Sequence, residues 1–200
     1  MSHHHPPPPV DPLAVDLPVH PPVDPRVHPL VVVMGVSGSG KTTVGAALAQ
    51  RLGVPFADAD DFHPEGNIAK MSAGIPLDDG DRRPWLGAMA QWLAEHEPAG
   101  GVASCSALKR SYRDVLRGAA PTTVFIHLHG DRDVLAERVA ARAAHFMPAA
   151  LIDSQFATLE PLGPDERGDV LDVAQPVDVL VDQGVSLLTP SAPAKGGTPA

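Results

Sequence analysis

The eight residues GVSGSGKT at 35–42 restrict this chain more than any other part of it. They satisfy the pattern G-x-x-x-x-G-K-[ST]. They also stand between a short apolar run, LVVVM at 30–34, and a stretch with helical apolar spacing, TTVGAALAQRLG at 42–53. Glycines in such a turn let the backbone curl until successive N–H groups face one concavity. The helix that follows aims its positive end at the same point. A strand, a phosphate-cradling loop and a helix in that order predict a P-loop and therefore the phosphates of a nucleotide, such as ATP, as a ligand. The expected nucleotide-binding residues are Gly35, Val36, Ser37, Gly38, Ser39, Gly40, Lys41, Thr42 and Thr43. Lys41 should reach the β- and γ-phosphates, and the Thr42 hydroxyl should ligate Mg²⁺.

The rest of the pattern alternates strands with helices. After the P-loop helix come a strand at 54–58, an amphipathic helix at 81–97, strands at 101–106 and 123–129, and a helix at 131–144. Pro148 opens a further helix through LIDSQFATL. This alternation predicts an α/β fold with a parallel sheet covered on both faces. The last strand stays ambiguous, because VDVLVD at 177–182 alternates like a strand while DVLDV at 169–173 is equally acceptable.

Residues 1–29 hold ten prolines and five histidines without usable periodicity, which predicts a disordered arm; 189–200 reads as a disordered tail. The folded unit is expected at 30–188. The arm's histidines could chelate a metal, but nothing fixes their geometry. A net charge of -9 argues against a nucleic-acid binder. One cysteine, Cys105, excludes an internal disulfide and fits a reducing cytosol; with no apolar run near the roughly 20 residues of a membrane span and no signal-peptide pattern, a cytoplasmic protein is expected. We read Cys105 as packing at a strand end. Trp85 and Trp92 read as core on one helix face.

A phosphate cradle leaves the acceptor open. A hydrolase must position water, whereas a kinase must hold an acceptor hydroxyl and keep water out. Strand two ends in Asp58-Ala59-Asp60-Asp61, and ligands of open parallel sheets lie beyond the carboxyl ends of strands. Asp58 is therefore the candidate for the metal and Asp60 for the base. The alternative is an acidic turn with Asp61 capping the next helix. Arg138 and Arg142, four apart on a predicted helix, could clamp the transferred phosphoryl group as part of a lid, or could be a solvated face. Arg82, Arg83, Lys109 and Arg113 could hold an acceptor carboxylate, or could be surface charges.

Five segments together resemble the gluconate kinase family of P-loop kinases: MGVSGSGKTT at 34–43, DADDFHPEGNIAKMSAGIPLDDGDRRPWL at 58–86, CSALKRSYRD at 105–114, RAAHFMP at 142–148 and SQFATLEPL at 154–162. The resemblance implies a five-stranded parallel sheet with a lid and a substrate-binding helical segment, similar to shikimate kinase and nucleoside monophosphate kinases. It implies transfer of the ATP γ-phosphoryl group to the 6-hydroxyl of D-gluconate, usually by a homodimer. It also implies a strand near 170–173 and a helix after Pro176. It strengthens Asp60 as base and the Arg138/Arg142 clamp, and it places His63, Asn67, Lys70, Arg82, Lys109, Arg113 and His145 at the acceptor. The segment departs from the family where Ala-Ala-His-Phe (143–146) replaces a Gly that often precedes the His, and where strand five reads LDV. Rival readings are a kinase for shikimate or another small hydroxy acid, and a module that binds ATP without transfer.

Overall fold

A computed structural model describes residues 29–141 and 149–188. Five strands form one sheet: β1 (Leu30–Met34), β2 (Phe56–Asp58), β3 (Gly101–Ser104), β4 (Val124–His129) and β5 (Gly168–Asp172), in the order β2-β3-β1-β4-β5. Every neighbouring pair is parallel, with Val32 opposite Ala103 on one side and Phe125 on the other. The strands alternate with α1 (Lys41–Leu52), α2 (Glu65–Ser72), α3 (Asp79–His96), α4 (Arg110–Ala119), α5 (Arg132–Ala140), α6 (Ala149–Thr158) and α7 (Val177–Leu188).

Strand β1 is buried along its whole length, and its side chains divide between two cores. Leu30, Val32 and Met34 meet Trp85, Met89 and Leu93 of α3 and Leu116 of α4. Val31 and Val33 meet Val44 and Leu48 of α1, Leu135 of α5 and Leu180 and Val181 of α7. Burial of one such apolar side chain contributes about 1.5–3 kcal/mol, so helices on both faces are what make this central strand stable. The crossover from β1 to β2 runs to one side of β1 and the crossover from β3 to β4 passes to its other side, so a crevice opens beyond its carboxyl end. The P-loop sits at that point.

Several expectations are refined. Pro29, counted with the arm, is buried and its carbonyl accepts from Gly101 N–H at 3.0 Å. Helix α5 stops at Ala140 with Ala141 as its cap, four residues short of the expected end at 144; Asp131 caps its start by accepting from Asp133 N–H. The strand near 170 and the helix after Pro176 are present. The alternation of VDVLVD misleads because Leu180, Val181 and Gly184 form one helical face packed toward Leu48 and Ile126. The remainder of the arm, the C-terminal tail, and residues 142–148 with Arg142 and His145 lie outside the described residues. Among the described residues, no helix is long and apolar enough to cross a membrane.

Candidate active site

The loop that leaves β1 can be built only with glycine at two points. At Gly35 (φ 139°) a Cβ would stand 2.6 Å from the Leu128 carbonyl oxygen; at Gly38 (φ 82°) it would stand 2.8 Å from the Leu135 carbonyl oxygen. The loop therefore lies directly against β4 and α5. Lys41 opens α1 and donates to the Val36 carbonyl at 3.1 Å, which folds its side chain back over the loop.

The strand-end acids join this loop through a short chain of hydrogen bonds. Thr42 Oγ1 donates to Asp58 Oδ2 at 2.7 Å, and the Asp60 N–H donates to Asp58 Oδ1 at 3.1 Å. Asp58 thus caps the 3₁₀ turn Ala59–Phe62, and the next helix, α2, starts from Pro64 and not from Asp61. Although Asp60 faces solvent in part, its carboxyl is held above the ordinary aspartate range. Desolvation is the main cause and the Asp58 charge the next, while Lys41 and His63 pull the other way. A carboxylate shifted upward is a better proton acceptor. Because the base must be ionised, the acid limb of kcat/KM against pH should fall at a pH above about 3.9, the unperturbed aspartate value. A profile flat down to that value would contradict this assignment.

His63 follows the 3₁₀ turn and stacks on Trp85, with ring centroids 4.6 Å apart and 6° between planes. Trp85 Nε1 also donates to the Ala59 carbonyl at 2.6 Å, so one buried indole fixes the whole turn to α3. The buried Asn67 carboxamide faces His63 Nδ1 at 3.3 Å and donates to the Asp81 carbonyl at 2.8 Å. With burial pushing the His63 pKa down, chiefly by desolvation, the neutral ring must accept at Nδ1. That assignment leaves Nε2–H as a donor.

The cations fall into separate groups. Lys70 donates to both Asp81 oxygens, at 2.6 and 2.8 Å, and Asp81 also closes the capping box of α3 with Asp78. Lys70 therefore ties α2 to α3. Lys109 and Tyr112 both donate to Asp79, while Arg82 and Lys109 lie 6.0 and 5.4 Å from the Tyr112 ring centroid. This cluster forms a polar wall between the starts of α3 and α4. Asp79 and Tyr112 are not among the residues expected from the sequence; the signal that links them is Lys109 at the N-cap of α4 with Tyr112 three residues on, in its first turn.

Arg113 requires a correction. It is 0% exposed, with Nε and Nη2 on Glu166 at 2.6 and 2.9 Å and its remaining donors on the carbonyls of Ala107, Leu108, Glu160 and Pro161. It does not face an acceptor. Burial pushes Glu166 up, but Arg113 and the Gly163 N–H together hold it below the usual glutamate range. Arg138 is exposed and donates to the Val173 carbonyl at 3.1 Å. Cys105 is buried, and desolvation pushes its thiol up to about 12, in keeping with packing and not with a nucleophile.

A parallel sheet with a P-loop at its switch point, and an acid at the end of β2, Asp58, hydrogen-bonded to Thr42 of that loop with Asp60 beside it, define a P-loop kinase. Comparison with known proteins narrows the class. The family model for shikimate kinase matches residues 37–162. A gluconokinase of Gluconobacter oxydans (strain 621H) is 53% identical over 138 residues, 68% of this chain and 78% of that protein. The thermoresistant gluconokinase of Escherichia coli (strain K12) is 42% identical over 165 residues, 80% of this chain and 94% of that protein. A gluconokinase structure from Sinorhizobium meliloti 1021 superposes with a TM-score of 0.75 at 50% identity, covering 82% of this chain and 93% of that one. The chain belongs to the gluconokinase family, within the broader group that the shikimate kinase model describes. It is an ATP-dependent kinase that acts on a hydroxyl group.

Proposed function

We propose that this kinase transfers the γ-phosphoryl group of ATP to the 6-hydroxyl of D-gluconate, giving 6-phospho-D-gluconate and ADP. The observation that supports the reading best is the Thr42–Asp58–Asp60 chain, which links the backbone of Asp60 through Asp58 to the phosphate loop. The loop amides and Lys41 hold the phosphates. Asp60 accepts the proton of the attacking hydroxyl, and His63 Nε2–H, on the same turn, orients that oxygen. Arg138 sits on α5, where its guanidinium can turn toward the transferred group; Arg142 and His145 enter the proposal from the family resemblance alone.

Thr42 Oγ1 and Asp58 Oδ2 are hard oxygen donors 2.7 Å apart, a pair that fits Mg²⁺, which usually takes one or two protein oxygens and completes its shell with phosphate and water. When bound there, the ion would neutralise charge on the phosphates. On the acceptor side, Lys109, Arg82 and Tyr112 offer a cationic, aromatic wall suited to a carboxylate and hydroxyls. Asn67 and Lys70 hold that wall's base through Asp81. We further infer a homodimer, from the family resemblance, and a reducing cytoplasmic location, from the lone buried cysteine.

An acceptor panel tests the reading. With ATP and magnesium, ADP release should follow gluconate addition at least about a hundredfold faster than shikimate addition, well within the roughly 10⁴–10⁵ by which a site built to hydrogen-bond its substrate can discriminate. Phosphorus NMR should find a phosphomonoester at carbon 6. Absence of turnover with gluconate would reject the acceptor, and absence of phosphorylated product with every acid tested would favour a binding module.

A further inference from the structure

Two adjacent P-loop residues are held from one side by α5 and α6. At Gly38, a Cβ would come within 2.8 Å of both the Leu135 carbonyl oxygen and Val139 Cγ2, so α5 lies against the loop backbone. At Ser37 the contact comes from α6. The Ser37 N–H donates to Gln155 Oε1 at 2.7 Å, and Gln155 Nε2 donates to Ser37 Oγ at 3.0 Å. One carboxamide thus takes a residue by both its backbone and its side chain, across 118 positions of sequence.

Helix α6 is well anchored for this task. Its Ile152 is buried, Phe156 packs on the core that includes Val33 and Val36, and Asp153 accepts from Arg132 Nε of α5 at 2.7 Å. Just beyond its end, Leu159 packs on both cores, and the Glu160 N–H donates to the Leu108 carbonyl at 2.8 Å. The Gln155 side chain is therefore presented by a fixed support to a loop that has to keep its shape around phosphate.

We propose that Gln155 is a positioning residue of the phosphoryl-transfer site, holding Ser37 so that the P-loop keeps the curvature that grips the terminal phosphates of ATP. The inference rests on the kinase reading of the loop and does not depend on which acid is the acceptor. A packing role would be served equally by Leu or Met. The observed contact instead needs a side chain that accepts and donates at once, and that carries no charge beside an anion site. Glutamate would still accept from the Ser37 N–H, and the Ser37 hydroxyl could donate to it, but it would set a negative charge next to the phosphates.

The test compares Gln155→Met, which keeps the volume, with Gln155→Glu, which keeps the link. Magnesium-ATP binding is measured by calorimetry without acceptor, together with steady-state KM values and thermal midpoints. Gln155→Met should weaken ATP binding roughly ten- to thirtyfold, the scale of two neutral hydrogen bonds, and leave the acceptor KM within about twofold. Gln155→Glu should weaken ATP binding more than Gln155→Met does. Adding Ser37→Ala to Gln155→Met should cost less than it does in the wild-type background, because the two residues share one contact. Wild-type ATP affinity in Gln155→Met, or wild-type affinity in Gln155→Glu, overturns the proposal. A lowered thermal midpoint with unchanged ATP binding also overturns it, since that marks a purely structural contact. Failure of the acceptor panel would leave these binding results standing.

Discussion

Replacing Asp60 by Asn should lower kcat by roughly 10²–10⁴-fold while ATP affinity stays nearly constant, the usual scale for losing a positioned base. The two side chains have the same shape, so the 3₁₀ turn should survive the change. Its cap is the bond from the residue-60 backbone N–H to Asp58, and this bond does not involve the altered group. The Thr42–Asp58 contact is likewise untouched. What Asn lacks is the capacity to take a proton. Removing the charge also relieves the repulsion from Asp58 that helps to raise the Asp60 pKa, so ATP should bind no worse than in wild type. Single-turnover rates beside equilibrium ATP binding separate the two effects. Turnover within about threefold of wild type would remove Asp60 from the chemistry.

Removing the Glu166 carboxylate should be the most damaging single change to stability. Arg113 and Glu166 are both fully buried at the side chain and meet at 2.6 Å. Taking away one partner of a buried pair leaves an uncompensated charge, which costs about 3–5 kcal/mol. For a domain of this size that corresponds to a fall of very roughly 10 °C in Tm. Glu166→Ala and Glu166→Gln should both show it, because Gln restores shape without restoring charge. A double replacement, Arg113→Met with Glu166→Leu, should recover part of the loss, although the carbonyls of Ala107, Leu108, Glu160 and Pro161 would then lack their common donor. The Ala107 carbonyl matters most, because Ala107 has φ 43°, a left-handed backbone that a non-glycine residue adopts at a cost. The folded-state pKa of Glu166 is depressed, so the pair's contribution is full above about pH 4.3 and is lost as the pH falls further. Unfolding of Glu166→Ala within 1 kcal/mol of wild type would show that the pair contributes little net stability.

These two residues also mark where the sequence is readable and where it is not. The position of Asp60 near Lys41 is legible because the P-loop pattern fixes β1 and α1, the next apolar run fixes β2, and a parallel sheet puts both carboxyl ends on one edge. Glu166 is illegible because its partner lies 53 positions away, and one of three acids in GPDERGD reads as part of a solvated turn. The same holds for Gln155 with Ser37, and for Asp79 with Tyr112. Arg113 looks like a ligand in CSALKRSYRD, since motif position does not tell whether a guanidinium faces a cavity or the protein interior. Helices α2 and α4 do not show in the local pattern for a related reason. Each is short, and α2 buries only Asn67, so its stability comes from bonds to α3 that no local apolar period announces. The early end of α5 has no glycine or proline signal in VAARAAHF.

The most direct test of the central claim is the position of the acceptor hydroxyl in a complex with a non-hydrolysable ATP analogue, magnesium and gluconate. The account predicts the 6-hydroxyl about 2.6–3.2 Å from an Asp60 carboxylate oxygen and in line with the γ-phosphorus held over Lys41. A complex in which the Asp60 carboxyl turns away from the phosphates, or in which another group approaches that phosphorus, would contradict it.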